Sequence, residues 1–194
     1  MPEIRIYRLA LSSQYQSLAL KDPALLGTSA FRFDCTSKAD FWEPVNLSSK
    51  DTHKPEPNFW KLEGVTEGFV CDERIWGEMP ILKMSCEALP MWFGNRKLYL
   101  VHIVEQGCWD ALDTVHCVWP TGKHGVGTPS KYAFFPKRLG FTSVLAVPET
   151  CQHEMYVYTN DNDPITEFKA DVERQKMTGL LFEEIWCEGS SEFI

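Results

Sequence analysis

Met155-Tyr156-Val157-Tyr158-Thr159 predicts a β-strand in the last quarter of the chain. It is followed by Asp163-Pro164, by a run with helical spacing, and by Met177-Thr178-Gly179-Leu180-Leu181-Phe182, which predicts a second strand. Asp163 can accept a hydrogen bond from a free amide at a helix start, and Pro164 suits the first helical position because it has no N–H to leave unpaired. The chain is therefore expected to end in a strand, a capped helix and a strand.

The helix between these two strands has one apolar face and a defined end. The helical period of 3.6 residues puts four positions on that face: Ile165, Phe168, Val172 and either Gln175 or Lys176. Gly179 permits the backbone conformation that commonly ends a helix. Because the whole unit contains no reactive group of side chains, it indicates a folding and binding module rather than an enzyme.

Length and composition favour one globular domain that spans residues 1–194. A chain of 194 residues can bury a sizeable core, and 44% hydrophobic with 13% aromatic residues excludes a disordered chain. Apolar residues at Ile4, Ile6 and Leu9 predict an opening strand, although residues 1–57 are less regular than the rest. Residues 48–57 contain two prolines in a polar run, which predicts an exposed loop.

The other elements predict an α+β fold. Strands are expected at residues 68–71, 97–104, 114–119, 142–147, 154–159 and 180–186, and short helices at 72–78 and 80–89, the second stopped by Pro90. Both faces of residues 97–104 are apolar, so this strand is expected in the middle of a sheet. The economical arrangement is a single domain with a largely antiparallel or mixed sheet and a few packed helices, ending strand-helix-strand.

The net charge of −8 excludes a general affinity for nucleic acid or for anionic membranes, because both require an excess of Lys and Arg. Residues 1–113 hold 12 basic and 16 acidic side chains. Residues 114–148 hold 4 basic and no acidic side chains, and residues 149–194 hold 3 basic and 11 acidic side chains. Ordinary solvated faces explain such a distribution. The alternative is an acidic surface in the C-terminal part that meets a basic protein.

The seven cysteines predict free thiols in a reducing compartment, because their number is odd and none belongs to a Cys-x-x-Cys pair. The first residues contain no apolar segment of signal-peptide length, and no window approaches the length of a membrane span. A cytoplasmic location is therefore expected.

Candidate catalytic and metal-binding groups are few. The glycine-rich residues 121–128 lack the spacing of a phosphate-binding loop and are expected to form a flexible hairpin loop. The side chains that could bind zinc match no finger or ribbon in their spacing; they are Cys108, His116, Cys117, His124, Cys151 and His153. Neither a metal nor another cofactor is therefore expected, and no catalytic residue is assigned.

Asp110 and Asp113 are three residues apart and allow two interpretations. On a helix they could form an acid–base pair, whereas in a turn they would accept hydrogen bonds from nearby amides. The turn is favoured, with both carboxylates exposed to a cationic partner. Trp109 lies either in the core or at a contact surface.

Four segments carry a resemblance to a known family. They are Leu98-Tyr99-Leu100-Val101-His102-Ile103-Val104, Trp109-Asp110-Ala111-Leu112-Asp113, Glu154-Met155-Tyr156-Val157-Tyr158 and Met177-Thr178-Gly179-Leu180-Leu181-Phe182-Glu183-Glu184-Ile185-Trp186. In this order they resemble the immunity proteins of bacterial polymorphic or contact-delivered toxin systems, of the myxobacterial type formerly described as a domain of unknown function. The resemblance covers residues 58–186.

The resemblance implies a small cytoplasmic antidote that binds its toxin and neutralises it, without catalytic residues or cofactors of its own. An acidic inhibitor would suit a toxin with a cationic cleft, and its charge would also accelerate the encounter. The residues expected at this contact are Trp109, Asp110, Asp113, Asp161, Asp163, Glu183, Glu184 and Trp186. Self-association is also left open.

Two other classes of protein stay open. A small hydrolase that uses Cys and His or a metal would need one pocket in which His116, His124 or His153 meets a cysteine or a carboxylate. A non-catalytic adaptor of a phage or secretion system would instead show a large apolar surface for self-association.

Overall fold

In the part of the chain that the structure describes, ten β-strands in two sheets and two short α-helices confirm the predicted α+β class. The computed structural model describes residues 3–104, 111–120, 128–139, 143–147, 150, 154–160, 163 and 165–189. The strands are β1 (Arg5–Leu11), β2 (Ser17–Leu20), β3 (Val45–Lys50), β4 (Lys61–Leu62), β5 (Gly68–Asp72), β6 (Cys86–Phe93), β7 (Arg96–Ile103), β8 (Val144–Leu145), β9 (Met155–Thr159) and β10 (Leu180–Cys187). The helices are α1 (Glu73–Glu78) and α2 (Phe168–Arg174), and short 3₁₀ turns occur at Pro23–Gly27, Ser29–Phe31, Ala39–Phe41, Pro80–Met84 and Pro136–Arg138.

The two sheets differ in the direction of their strands. The first sheet has the order β10-β1-β9-β8, and all of its pairs are antiparallel. The second has the order β4-β2-β3-β6-β7-β5, in which β2 pairs with β4 and β3 pairs with β6 in parallel. Strand β7 lies between β6 and β5 with both faces buried, which confirms the prediction of a mid-sheet strand at residues 97–104.

One apolar cluster joins the two sheets. It includes Leu9 and Val157 from the four-stranded sheet, Phe69 and Val101 from the six-stranded sheet, and Phe168 of α2. Because neighbouring residues of a strand point to opposite faces, the other face of each sheet carries a cluster of its own. The two sheets and α2 are therefore held together by one shared core.

The two outer clusters are covered by irregular segments of the chain. On the six-stranded sheet, Val70 and Leu100 pack in a cluster that includes Phe31 and Trp42 from the segment between β2 and β3. On the four-stranded sheet, Ile6 and Tyr156 pack with Phe134 from the segment between β7 and β8. Both covering segments are therefore held in place by apolar packing on a sheet.

The predicted strand-helix-strand unit is present as β9, α2 and β10. Phe168 and Val172 are buried as predicted, but the prediction is wrong for Ile165, which is 83% exposed. The chain makes a turn before α2, since the amides of Thr166 and Glu167 donate to the carbonyl oxygen of Asp163 at 3.2 and 2.8 Å. This turn moves Ile165 off the helix face.

Asp163 caps this turn instead of α2. Its carboxylate accepts a hydrogen bond from the Ile165 amide at 2.9 Å, and the N-cap position of α2 belongs to Glu167. The prediction that Asp163 caps the helix is therefore wrong by about one turn of helix. Pro164 lies outside the described residues.

The helix ends at Arg174, with Gln175 as its C-cap, and the left-handed residue that follows is Lys176 and not Gly179 as predicted. Lys176 has a φ of +53°, and the amides of Lys176 and Met177 donate to the carbonyl oxygens of Glu173 and Val172, the arrangement of a Schellman motif. Gly179 has a φ of +102°, and an added Cβ would overlap the carbonyl oxygen of Phe59. Glycine is needed there because two backbones approach closely.

The prediction of a helix at residues 80–89 is wrong. Pro80–Met84 forms a 3₁₀ turn, and β6 begins at Cys86 and continues through Pro90. Pro90 is tolerated because it precedes the three residues that pair with β3, and its carbonyl accepts a hydrogen bond from Trp42 Nε1 at 2.9 Å. Residues of β6 pair with β7 along the whole strand, and this pairing stabilises the strand conformation relative to a helix.

Other boundaries also differ from the prediction. Residues 114–119 form a turn and a single bridge, from Val118 to Lys131, rather than a strand. Residues 48–50 belong to β3, so the exposed loop begins only at Asp51. Within residues 142–147 the strand is limited to Val144–Leu145. The glycine-rich residues 121–127 lie outside the described part of the chain.

The strand and helix predicted at residues 68–78 are confirmed as β5 and α1. The carboxylate of Asp72 accepts a hydrogen bond from the Ile75 amide at 2.8 Å and so caps α1. Across the described ranges, no helix is long and apolar enough to span a bilayer.

Candidate partner-binding site

The described members of the predicted contact set lie on different elements. Glu183, Glu184 and Trp186 share β10, whereas Asp163 precedes α2 and Asp113 lies between β7 and β8. The other three predicted residues lie outside the described part of the chain; they are Trp109, Asp110 and Asp161.

Asp113 forms the predicted turn, but the expectation that its carboxylate is exposed is wrong. Asp113 is 7% exposed. One carboxylate oxygen accepts the His116 amide at 3.1 Å and the other lies 2.7 Å from His116 Nδ1. The carboxylate therefore stabilises the turn at residues 114–116 instead of facing a partner.

Glu183 and Glu184 lie on β10, at the edge of the four-stranded sheet, and both pair with arginines of β1. Arg8 Nε donates to Glu183 at 3.1 Å, and Arg5 Nη1 donates to Glu184 at 3.2 Å. The hydrogen bond from Arg8 to Glu183 is the main reason why the pKa of Arg8 is raised. These two exposed carboxylates are thus paired within the molecule and contribute less to an acidic surface than unpaired carboxylates would.

Trp186 is partly buried and packs in the outer cluster of the four-stranded sheet. Its ring lies edge to face with that of Phe134, with the ring centroids 5.9 Å apart. Trp186 therefore packs against the core, and only part of its ring is left for a partner.

Glu154 forms a buried network that the sequence did not indicate. The hydroxyl groups of Tyr132 and Tyr156 donate to its carboxylate at 2.7 and 2.6 Å, and Arg8 Nη1 lies 3.1 Å away. Thr150 extends the network through its hydroxyl, 2.7 Å from the hydroxyl of Tyr156. Only the presence of an acid immediately before an apolar strand could have pointed to this residue.

The network keeps both tyrosines neutral. Burial, followed by the nearby charge of Glu154, raises the pKa of Tyr156 well above its ordinary value. Burial also raises the pKa of Tyr132, and the hydrogen bond to Glu154 adds to this effect. With both carboxylate oxygens engaged, Glu154 serves to tie β1, β9 and the segment before β8 together.

The described thiols deep in the core are poor nucleophiles. Burial raises the pKa of Cys86 to about 12, and burial raises the pKa of Cys71 still further above its ordinary value. A thiol needs the thiolate form to react, so these two cysteines act as small apolar residues. None of the five described cysteines forms a disulfide.

His102 and Glu87 form a buried pair across β7 and β6. His102 is 1% exposed, its Nδ1 lies 2.8 Å from the Glu87 carboxylate, and its Nε2 has no hydrogen-bond partner among the described atoms. Burial lowers the pKa of His102 although Glu87 opposes this, so the ring is held neutral. The imidazole of His102 is therefore sheltered from solvent, whereas the Glu87 carboxylate is partly accessible.

A loop between the 3₁₀ turns closes over this pair. The amides of Lys38 and Ala39 and the hydroxyl of Ser37 donate to Glu87 at 2.8, 3.1 and 2.7 Å. Burial alone would raise the pKa of Glu87, but the hydrogen bonds from His102 and Ser37 lower it. The loop therefore uses Glu87 as an anchor on the sheet.

No group of three or more His, Cys, Asp or Glu side chains within the described ranges could hold a metal ion. Of the zinc candidates, His116 and Cys117 are described, and the Sγ of Cys117 lies 3.3 Å from the Ala133 amide that donates to it. Cys108, His124, Cys151 and His153 lie outside those ranges.

An open cleft lies where the 3₁₀ turns of residues 23–41 meet the start of β3. We name it the aromatic cleft; its volume is about 500 Å³, and Phe31, Phe41, Trp42 and Pro44 contribute apolar walls. The rings of Phe31 and Trp42 are 5.1 Å apart and inclined at 54°. Both are buried at the base, whereas Phe41 is 59% exposed.

Local structure explains why the aromatic cleft is preformed. Asp22 caps the first 3₁₀ turn, since its carboxylate accepts the Ala24 amide at 3.1 Å and Pro23 begins the turn. The Lys21 amide donates to the Asn46 carbonyl oxygen at 2.9 Å, which fixes the end of β2 against β3. Trp42 is held by its indole N–H, which donates to Pro90.

Three charged side chains border the aromatic cleft: Lys21, Asp22 and Glu43. All three are exposed. This region has no regular hydrophobic period, and its one signal in the sequence is the closeness of Phe41, Trp42 and Pro44.

No protein-family model, no curated protein and no solved structure matches this chain.

Proposed function

We propose that this chain is a cytoplasmic immunity protein that binds a basic bacterial toxin and neutralises it as a stoichiometric inhibitor. The observation that carries the proposal is the aromatic cleft bordered by Asp22 and Glu43, on a molecule with a net charge of −8. The resemblance of residues 58–186 to immunity proteins supports it independently.

The aromatic cleft has the features of an anchoring pocket at a protein interface. Such pockets are preformed, lined by aromatic side chains and surrounded by polar groups. Phe41 is 59% exposed in the isolated protein, and burial of that exposed part by a partner would contribute about 1–2 kcal/mol. The cleft therefore favours the binding of another molecule over self-contained packing.

The negative net charge acts at longer range than the cleft. A basic toxin is attracted before contact, which raises the association rate, while the anchored side chains slow dissociation. Inhibition follows if the bound protein covers the toxin's active site or holds the toxin in an inactive conformation. This mechanism requires no nucleophile, in keeping with the high pKa of the Cys71 and Cys86 thiols.

Growth assays test the proposed function. Each open reading frame next to this gene is expressed in a bacterial host, alone and together with this protein. We expect one neighbour to arrest growth, growth to recover on co-expression, and the purified pair to form a complex whose association slows as salt is added.

Three outcomes would contradict the proposal. These are the absence of any toxic neighbour, growth arrest that persists on co-expression, and protection at concentrations far below those of the toxin. The last outcome would indicate turnover and favour the hydrolase alternative, whereas a location among virion or secretion genes would favour the adaptor.

A further inference from the structure

The aromatic cleft combines ring faces with negative charge, which together recognise one type of side chain. Phe31, Phe41 and Trp42 line the same cleft, with the exposed ring of Phe41 at its edge and the rings of Phe31 and Trp42 inclined to each other at its base. A cation placed over such rings is attracted by the negative faces of their π systems. Phe41 already has a cation nearby, since Lys38 Nζ lies 6.0 Å from its ring centroid.

The charged groups at the cleft sum to −1, because Asp22 and Glu43 outnumber Lys21 by one. Neither carboxylate forms an ion pair with a described residue, in contrast to Glu183 and Glu184, which pair with Arg8 and Arg5. Asp22 Oδ1 accepts a hydrogen bond from the Ala24 amide, so Asp22 Oδ2 is available for a further hydrogen bond.

We propose that the toxin anchors itself with an arginine side chain in the aromatic cleft, an inference that rests on the partner-binding function proposed above. The guanidinium stacks on the aromatic walls and donates to Asp22 or Glu43. Arginine fits better than lysine, because its planar head stacks on rings, forms two parallel hydrogen bonds to a carboxylate and is less strongly hydrated than an ammonium.

An amino-acid titration tests this proposal without the toxin. Acetyl-arginine amide is added to ¹⁵N-labelled protein, and the indole N–H signal of Trp42 is followed by NMR after assignment with the Trp42→Phe variant. Acetyl-leucine amide and acetyl-glutamate amide serve as matched probes of the same backbone. We expect a saturable shift with acetyl-arginine amide, with a dissociation constant on the order of millimolar.

The charge contribution is tested with an isosteric double variant, Asp22→Asn/Glu43→Gln. Asn can still cap the 3₁₀ turn, and Glu43 is exposed, so the variant is expected to fold. Affinity for acetyl-arginine amide should fall about threefold or more, the fold-change expected for loss of exposed ion pairs. No saturable shift, an equal shift with acetyl-leucine amide or acetyl-glutamate amide, or full affinity of the double variant would overturn the proposal.

The toxin itself provides the second arm once the growth assay has identified it. Phe41→Ala should weaken the complex about thirtyfold, whereas Trp92→Ala, which removes an exposed aromatic ring on β6, should leave the affinity unchanged. Unchanged affinity of Phe41→Ala would overturn the cleft proposal while the rescue of growth still stands. Failure of rescue would instead remove the proposed function, so the two failures are distinguishable.

Discussion

Glu154 shows how a single side chain connects distant parts of this fold. Its carboxylate lies beneath β1 and binds Arg8, Tyr132 and Tyr156, which come from three separate segments. A buried carboxylate is tolerated only when its oxygens are hydrogen-bonded. Loss of one partner therefore costs the interaction and also leaves a charged group less well solvated.

Tyr156→Phe should destabilise the protein by about 1.5–3 kcal/mol, because the lost hydroxyl bridges Glu154 and Thr150. The free energy of unfolding in urea measures this effect. Tyr15→Phe is the matched control, since Tyr15 is partly exposed and should change stability by less than about 0.5 kcal/mol. Equal effects of the two substitutions would show that the Glu154 network contributes nothing specific.

Stability should also decrease as the pH falls below about 6.5, the ordinary pKa of an unfolded histidine. Burial lowers the pKa of His102 in the folded protein, so the unfolded state takes up the proton first and is favoured by acid. Glu87, whose pKa is lowered in spite of its burial, adds a further loss of stability as the pH falls through its lowered folded pKa.

Urea midpoints between pH 7.5 and 5.5 test this pH dependence. As the pH falls, the urea midpoint of the unmodified protein should decrease. The decrease should be smaller in His102→Gln, which has no titrating ring. His53→Gln removes an exposed histidine and should keep the original pH dependence. An unchanged slope in His102→Gln would show that another group is responsible.

At the scale of elements, α2 depends on one buried ring. Phe168 is fully buried and contacts the rings of Phe59, Phe69 and Phe182. Phe168→Ala should reduce the free energy of unfolding by about 3–5 kcal/mol. Ile165→Ala, only three positions earlier but exposed, should change it by less than about 0.5 kcal/mol, and a large effect there would mean that the helix face is assigned incorrectly.

The junction before β10 depends on a close approach of two backbones. Gly179 and Gly94 both have positive φ values, but an added Cβ meets no atom within 4 Å at Gly94, whereas at Gly179 it overlaps Phe59. Gly94→Ala should therefore reduce the free energy of unfolding by about 1–2 kcal/mol, because alanine disfavours the left-handed backbone conformation. Gly179→Ala should cost about 1–3 kcal/mol more, and equal thermal midpoints for the two variants would contradict this explanation.

For the whole molecule, the core shared by the two sheets predicts a single unfolding transition. Residues of both sheets and of α2 belong to one cluster, so neither sheet can lose its packing while the other remains intact. Circular dichroism in the far and near ultraviolet should give coincident urea transitions. Separate transitions would mean that the chain consists of two independent domains.

Elements determined by nearby residues were predictable from the sequence. Asp72 caps α1 through the amide of Ile75, only three residues away. The sequence of β7 has apolar residues on both faces of the strand. The strand β6 was mistaken for a helix because pairing with β7 and β3, which no local signal shows, overrides the preference of residues 80–89. The turn before α2 was missed for a similar reason, since Asp163 can cap either structure.

The candidate site was harder to predict than the fold. The sequence predicts an available carboxylate at Glu183, because Arg8, which pairs with it, lies 175 positions away. The aromatic cleft is formed by short turns whose residues Phe31 and Trp42 pack on the six-stranded sheet. Such surfaces depend on tertiary contacts, which a single sequence does not display.

The pairing of β1 with β10 joins two strands that the ribosome synthesises at widely separated times. Arg5 and Glu184, which meet across these strands, are 179 positions apart. The ribosome therefore releases β1 long before its partner, and during that interval Ile6 and Leu9 lack the sheet that buries them. Long-range pairing of this kind is slow and leaves a strand edge open to other nascent chains. Assistance from a chaperone during translation would protect the yield of this protein.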